Sequence, residues 1–159
     1  MNKNPAPDSF DLALLALLQQ DNSLPLRELA EKVHLSTASV QRRIQRLKKA
    51  GFILASTAVL DPDKVGQAIT LIVEVHVDRT HADDLAALKQ QFAIPEVQQC
   101  YYVTGDADFM LVITVATMTE FQQLAQRLFH DNSNVKWFRT TVVLERIKAT
   151  LQVPLKRPA

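Results

Sequence analysis

Hydrophobic periodicity changes once along this chain of 159 residues, and the change divides it into two kinds of structure. Between residues 10 and 51 the apolar residues recur at intervals of three and four, which indicates amphipathic helices. From residue 52 to residue 147 many of them alternate with polar residues or form short runs, which indicates strands separated by helices. The sequence therefore predicts an α+β protein with a helical N-terminal part and a mixed C-terminal part.

Three helices are predicted in the N-terminal part, and a short turn separates the second from the third. Pro25 suits the first position of the second helix, whereas Ser36 suits the N-cap of the third and Gly51 its end. Residues 10–52 are expected to form a helix-turn-helix (winged-helix-like) domain, preceded by a mobile tail over residues 1–9. The apolar stripes consist of Leu14, Leu15 and Leu18; of Leu26, Leu29, Ala30 and Val33; and of Val40, Ile44 and Leu47.

The C-terminal part has the predicted order β-α-β-β-α-β over residues 68–148, which is the ferredoxin-like arrangement. Two right-handed βαβ units place both helices on one face of a four-stranded antiparallel sheet. The opposite face presents Ile72, Met110 and Val112, so we expect a partner subunit to cover it. The boundaries are a linker and hinge over 53–67 with a strand at 53–60, a ferredoxin-like domain over 68–150 whose last strand is 135–147, and a C-terminal tail over 151–159.

The third predicted helix carries five cationic residues and no acidic one within positions 36–49. Basic residues outnumber acidic ones by eight to five in residues 1–60, whereas acidic residues are ahead by twelve to ten in residues 61–159, which indicates a nucleic-acid partner for the basic part. A charged helix face is ordinarily only a solvated surface. Here the single sign of charge, the short preceding turn and the polar N-terminal end favour insertion into the major groove of DNA. The candidate DNA-binding residues are Ser36, Thr37, Ser39, Gln41, Arg42, Arg43, Arg46 and Lys49.

Five short segments, spread over both parts of the chain, form a specific set. They are Asp11…Leu14-Leu15, Leu29-Ala30…Val33-x-Leu35-Ser36, Arg43-Ile44-x-Arg46-Leu47-x-x-Ala50-Gly51-Phe52-Ile53, Leu60-Asp61-Pro62 and Val103-Thr104-Gly105-Asp106-Ala107-Asp108-Phe109. Together they resemble the leucine-responsive/asparagine-responsive (Lrp/AsnC) family of bacterial transcription regulators, over about residues 10–155. The chain departs from the family in having no proline at the start of its third helix, which leaves the operator sequence open.

The resemblance also implies that the C-terminal domain dimerises, that four dimers commonly form an octamer, and that an effector, usually an amino acid, binds between dimers. For such a ligand, Asp106 or Asp108 suits the ammonium group, and Thr104 or Thr141 with backbone N–H groups suits the carboxylate. The same turn sequence is also ordinary β-turn chemistry. The implied effector-binding residues are Tyr102, Thr104, Gly105, Asp106, Asp108, Met118, Thr141, Val142 and Val143.

The predicted function is therefore sequence-specific regulation of transcription through double-stranded DNA, in response to a small effector. A ligand-independent architectural protein that compacts DNA is the alternative. We expect neither an enzyme nor a cofactor or metal site, since the sequence has no Gly-rich phosphate loop and no clustered metal ligands. Cys100 is the only cysteine, and the longest apolar runs are too short for a membrane span, so a cytoplasmic, nucleoid-associated location is expected.

Overall fold

The computed structural model describes residues 6–78 and 82–155. The described chain divides into two compact units. The first consists of residues up to 58 together with those from 148 onward, and the second lies within residues 59–147. The predicted α+β class is confirmed, because the first unit is helical and the second contains a sheet with helices.

Three helices form the first unit: α1 (Ser9–Gln20), α2 (Leu26–Val33) and α3 (Thr37–Lys49). Each predicted stripe faces the same small core, because residues three and four apart share one side of a helix. The buried members of this core are Leu14, Leu29, Ala30, Val33 and Val40.

Both ends of α3 are defined by local hydrogen bonds. The Ser36 hydroxyl accepts a hydrogen bond from the Ser39 N–H at 3.2 Å, as an N-cap does. At the other end Gly51 has a φ of 79°, and the Phe52 N–H reaches back to the Leu47 carbonyl at 2.9 Å. These bonds form a Schellman motif, which requires the left-handed conformation that glycine adopts without strain. The predicted N-cap and helix end are both confirmed.

The first helix begins at Ser9, one residue before the expected start of the helical domain, and its N-cap lies within the segment expected as a tail. Asp8 is the N-cap of α1, and its Oδ1 accepts a hydrogen bond from the Asp11 N–H at 2.8 Å. The Asp11 carboxylate accepts the Asp8 N–H in return, at 3.0 Å. This reciprocal capping box orders residues 8 and 9, because it satisfies two backbone donors that a helix otherwise leaves without partners. Residues 1–5 of the expected tail lie outside the described part of the chain.

A strand is expected at 53–60, but residues 54–60 form no strand ladder within this single chain. Their composition favours extended backbone, but a strand exists only where a second strand accepts and donates its ladder hydrogen bonds. Within the described residues of this single chain no neighbour pairs with the segment. Its apolar side chains therefore remain in solvent, as with Leu54, which is 93% exposed.

Residues of the expected C-terminal tail return to the first unit. The Gln19 side-chain amide donates to the Val153 carbonyl at 3.0 Å and accepts from the Val153 N–H at 3.1 Å. The side chain of Gln152 donates to the Gln19 carbonyl at 3.0 Å. The chain thus enters the first unit a second time after the last strand of the other unit.

The second unit has the order β1 (Ile69–Val77), α4 (Ala82–Gln91), β2 (Val97–Tyr102), β3 (Phe109–Val115), α5 (Met118–Ala125) and β4 (Val135–Val142). A single π-helical turn continues α5 to His130. The sheet order is β2-β3-β1-β4 with every neighbouring pair antiparallel, which confirms the ferredoxin-like arrangement. The predicted extension of the last strand to residue 147 is wrong, because β4 ends at Val142. Its partner β1 begins at Ile69, and beyond Val142 the Val143 N–H still donates to the Thr70 carbonyl at 2.9 Å, close to that start.

The two faces of the sheet have different surroundings. One face packs against the helices, and its buried side chains include Leu71, Val73, Phe109, Leu111 and Ile113. The other face, called the open face below, carries Ile72, Glu74 and His76 of β1 with their cross-strand neighbours on β3 and β4. In the described parts of the chain, no helix has the length and apolar character needed to cross a lipid bilayer.

Candidate nucleic-acid interface and effector residues

The sequence-predicted DNA-binding residues occupy one side of α3 and its N-terminal turn. Thr37, Gln41, Arg42 and Lys49 are exposed, and Ser39 is half-buried. Ser36 is exposed as well, with its hydroxyl engaged in the N-cap. The core stripe of α3 points away from them, because it packs against α1 and α2.

Two of the predicted DNA contacts, Arg43 and Arg46, have partners inside the protein. The Arg43 guanidinium donates to Asp8 and to Asp11, at 2.7 Å in each case. Arg46 donates a short hydrogen bond to the other carboxylate oxygen of Asp11. The Arg43 guanidinium also lies 5.4 Å from the ring centroid of Phe10. We call the group Asp8, Asp11, Arg43 and Arg46 the carboxylate clamp.

Electrostatics favour the charged forms of Asp8 and Arg43. Partial burial opposes ionisation of Asp8, but the Asp11 N–H and the Arg43 guanidinium outweigh it and lower the pKa of Asp8. Hydrogen bonds to Asp8 and then to Asp11 raise the pKa of Arg43. Asp11 itself is fully buried, so its charge is compensated by the guanidinium groups and the Asp8 N–H rather than by water.

The clamp divides the cations of α3 into two groups. Arg43 and Arg46 each have a carboxylate partner. Among the residues whose side chains the structure describes (6–78 and 85–155), no carboxylate lies within salt-bridge distance of Arg42, Lys48 or Lys49. In the described part of the chain, the one hydrogen bond of the Arg42 side chain is a long one, at 3.4 Å, to the Ser39 hydroxyl. The positive charge that remains available on α3 therefore comes from these three residues.

Sequence reasoning missed the two carboxylates of the clamp. A signal was present, since Asp8-x-x-Asp11 before an apolar run is a variant of the capping-box pattern. That signal predicts the start of a helix. It does not reveal that the same carboxylates reach α3, because the ion pairs join residues 32 to 35 positions apart.

Five of the implied effector residues lie at one end of the sheet, around the β2–β3 turn. Tyr102, Thr104 and Asp106 are exposed, and Gly105 has a φ of 125°. The Tyr102 ring packs against Phe109, and the Lys89 ammonium lies 5.3 Å from the centroid of the Tyr102 ring. Lys89 had no signal in the sequence, because its place depends on how α4 packs beside β2.

Asp108 differs from Asp106 in its surroundings. Its side chain is buried, and its Oδ2 accepts a hydrogen bond from the Val77 N–H at 3.0 Å. Its backbone N–H donates to the Val75 carbonyl, also at 3.0 Å. Asp108 therefore ties the turn to the end of β1, whereas Asp106 is the aspartate of this turn that solvent reaches.

The other four implied effector residues lie at the opposite end of the sheet. Val142 pairs with Leu71, whereas Phe109, next to the turn, pairs with Val75. Four residues of a strand span about 13 Å, and the turn lies farther out still. Met118, Thr141 and Val142 are exposed, and Val143 is half-buried. One copy of the chain does not bring the two groups together.

Metal binding has no geometric support in the described residues, where no group of three or more His, Cys, Asp or Glu side chains is placed to hold an ion.

Comparison with known proteins connects this geometry with a family. Residues 8–48 match the AsnC-type helix-turn-helix domain, and residues 70–153 match the Lrp/AsnC ligand binding domain. An HTH-type transcriptional regulator of Sinorhizobium fredii is 42% identical over 150 residues, covering 94% of this chain and 89% of that protein. The leucine-responsive regulatory protein of Haemophilus influenzae is 32% identical over 155 residues, covering 97% and 93%.

A solved structure agrees in fold along nearly its whole length. The transcriptional regulator of Neisseria meningitidis in complex with L-methionine has a TM-score of 0.86 at 28% identity, covering 92% of this chain and 96% of that one. The helix-turn-helix match contains the clamp and all of α3 except Lys49, and the ligand binding domain match contains all of the sheet except Ile69. With both units matched in this order and relatives aligned over most of their length, the chain belongs to the Lrp/AsnC family and is a DNA-binding transcriptional regulator.

Proposed function

We propose that this protein regulates transcription at specific DNA sites in response to an amino acid. The proposal depends on the arrangement of side chains on α3. The helix buries an apolar stripe, and its residues Arg42, Lys48 and Lys49 have no carboxylate partner among the described residues. The family assignment supplies the regulatory role. The leucine-responsive relative and the methionine-bound structure support an amino acid as the effector class.

The DNA-contacting surface in this proposal is the exposed side of α3. Arg42 has the reach to pair with a guanine edge or a phosphate, and Thr37, Ser39 and Gln41 have donors and acceptors for base edges or phosphates. Lys49 at the C-terminal end suits a phosphate. Arg43 and Arg46 lie at the border of this surface, and the carboxylates of Asp8 and Asp11 balance their charge. Ser36 contributes the helix N-terminus, whose backbone N–H groups attract a phosphate.

The effector site in this proposal is built from two copies of the chain. The turn with Tyr102, Thr104, Gly105, Asp106 and the supporting Asp108 would come from one copy. The segment with Met118, Thr141, Val142 and Val143 would come from another, because the two groups lie at opposite ends of the sheet. Asp106 is the proposed acceptor for the ammonium group, and Tyr102 and Met118 supply apolar surface for the side chain.

Self-association is supported by apolar surface that one copy leaves in solvent. The open face carries Ile72 and Trp137, which are 36% and 40% exposed, and the Trp137 ring covers the buried His76 ring with the two centroids 3.5 Å apart. Leu54 and Leu144 are also almost fully exposed. We propose a homodimer that covers the open face, and further assembly to an octamer as a tetramer of dimers.

Footprinting tests the DNA part of the proposal. Genomic fragments selected by the protein should show discrete protected sites, with half-sites about one helical turn apart or a multiple of it. Uniform protection along every fragment would instead support the architectural alternative. An Arg42→Ala variant should lose affinity at those sites, and Arg27→Ala serves as its control because Arg27 lies on α2 in an ion pair with Glu31.

Calorimetry with each of the common amino acids tests the effector part, and binding by none of them would refute it. The two-copy arrangement has its own test, in which Asp106→Asn and Val142→Asp variants are each first shown to lose binding. The two variants are then co-expressed in equal amounts. If the site is shared between copies, about half of the interfaces join the two different variants, and each such mixed interface contains one intact site and one doubly altered site. About a quarter of the binding capacity is then restored. A site within one copy restores none.

A further inference from the structure

The clamp places a fully buried carboxylate against the helix that faces DNA. Asp11 accepts hydrogen bonds from Arg43 at 2.7 Å, from Arg46 and from the Asp8 N–H at 3.0 Å. Both arginine side chains nevertheless keep solvent contact, with 25% of Arg43 and 45% of Arg46 exposed. Two guanidinium groups thus lie at the edge of the DNA-contacting surface and are held by one buried anion.

We propose that Asp11 is a positioning residue for DNA recognition, which holds Arg43 and Arg46 away from phosphates and so limits sequence-independent binding. The inference rests on the proposed role of the exposed side of α3. Asp8 assists by accepting a second hydrogen bond from Arg43. Specific binding then depends on Arg42 and its polar neighbours, whereas the clamped arginines add little to affinity for arbitrary DNA.

The physical reason is that affinity for any duplex grows with the number of phosphates a protein neutralises. Each neutralised phosphate adds about 0.9 to the negative slope of log K against log salt. A phosphate that takes the Arg43 Nη1 or the Arg46 Nη2 donor must displace Asp11 and leave that carboxylate buried without its partners, which is costly. A phosphate on the remaining N–H groups meets a guanidinium whose charge Asp11 already balances. The clamp therefore makes these two arginines poor phosphate ligands while leaving them on the surface.

A purely structural role predicts different behaviour. In that case Asp11 only joins α1 to α3, and its loss lowers the folded fraction and weakens binding to all DNA in parallel. The positioning role predicts that loss of the carboxylate strengthens binding to arbitrary DNA and steepens its salt dependence. The two roles are therefore separated by the sign of the change.

The experiment compares Asp11→Asn with Asp21→Asn in the full chain. Both substitutions remove one negative charge from α1 or its C-terminal end, but Asp21 contacts Ser23 and no arginine in the described chain. Fluorescence anisotropy measures binding to a 30-base-pair duplex selected by the wild-type protein and to a scrambled duplex of the same composition. The salt concentration is varied, and circular dichroism checks the fold.

For Asp11→Asn we expect the slope on the scrambled duplex to steepen by about 0.9 for each arginine released per protomer, and its affinity at 0.05 M salt to rise by about tenfold per arginine. The ratio of selected to scrambled affinity falls accordingly. Equal slopes for the Asp11 and Asp21 variants, with both folded, would overturn the inference. If the wild-type protein selects no duplex at all, the proposed function fails instead.

A second pair of variants covers the case in which Asp11→Asn does not fold. Arg42→Gln and Arg43→Gln change adjacent residues of α3 by the same charge. The clamp predicts that Arg42→Gln flattens the salt slope by about 0.9 per protomer, whereas Arg43→Gln leaves it unchanged. Equal flattening by the two substitutions would refute the inference.

Discussion

Leu14 lies at the centre of the first unit, and its replacement by alanine tests whether this small core sustains the DNA-binding unit. The side chain is fully buried, and it packs with Leu29, Ala30, Val33 and Val40. Truncating a buried leucine to alanine costs about 2–5 kcal/mol, and the cost is highest where the surroundings collapse least. Helices joined by short turns have little freedom to close a cavity, so we expect about 3 kcal/mol.

That loss is large for a unit of this size. At about 0.05–0.15 kcal/mol per residue, a unit of roughly 60 residues has about 3–9 kcal/mol in total. A loss of about 3 kcal/mol lowers the folded-to-unfolded ratio by roughly 150-fold. It should lower the melting temperature of the first unit by about 12–24 °C. DNA binding should fall with it, because α3 packs against α1 and α2 through this core.

The assay is calorimetric melting with and without the substitution, together with DNA binding at 25 °C. We expect the first-unit transition to move while the transition of the sheet-containing unit stays in place. Arg27→Ala is the matched control, because Arg27 is 87% exposed in an i,i+4 ion pair and should change stability by at most about 0.5 kcal/mol. A shift of less than about 1 kcal/mol for Leu14→Ala would refute the reasoning about this core.

Three further predictions concern the same unit. Burial opposes ionisation of Asp8, but the Asp11 N–H and the Arg43 guanidinium lower its pKa below the ordinary aspartate value in the folded protein. Its contribution to stability is therefore fully present above the ordinary pKa of about 3.9 and is lost as the pH falls through the lower folded pKa. Acid titration of the melting temperature should show a smaller decline for Asp8→Asn. Gln19→Ala removes two hydrogen bonds to Val153, so it should lower the free energy of unfolding by about 1 kcal/mol and speed protease cleavage of the C-terminal segment. The control Gln20→Ala, at an exposed position, should change neither quantity. His34 has a φ of 55°, in the left-handed region that glycine adopts without strain. In thermal melts His34→Gly should therefore leave the free energy of unfolding unchanged or raise it by up to about 1 kcal/mol. A clear loss of stability would contradict strain at that turn.

Local patterns in the sequence were sufficient for much of the fold. The stripes of α1, α2 and α3, the N-cap at Ser36 and the helix end at Gly51 all depend on residues within one or two turns of each other. The order of strands and helices after residue 68 was sufficient for the ferredoxin-like topology, because handedness leaves few arrangements open.

Tertiary structure alone decided three features that bear on function. The arginines of α3 were predicted together as DNA-binding residues, but Asp11, more than thirty residues earlier in the chain, accepts hydrogen bonds from two of them. The implied effector residues were predicted as one set, but the register of β1 with β3 and β4 places them at opposite ends of the sheet. The segment at 54–60 has the composition of a strand but no strand beside it in the described chain.

The physical reason is common to these features. Periodicity and capping reflect interactions between near neighbours in sequence, so the printed residues alone determine helices, turns and strand order. Which side chain reaches which depends on packing between elements and on strand register, and both are set by the summed contacts of the whole unit. The sequence by itself therefore determined which helix carries the cationic residues, whereas only the tertiary structure determined which of its arginines are paired with a carboxylate.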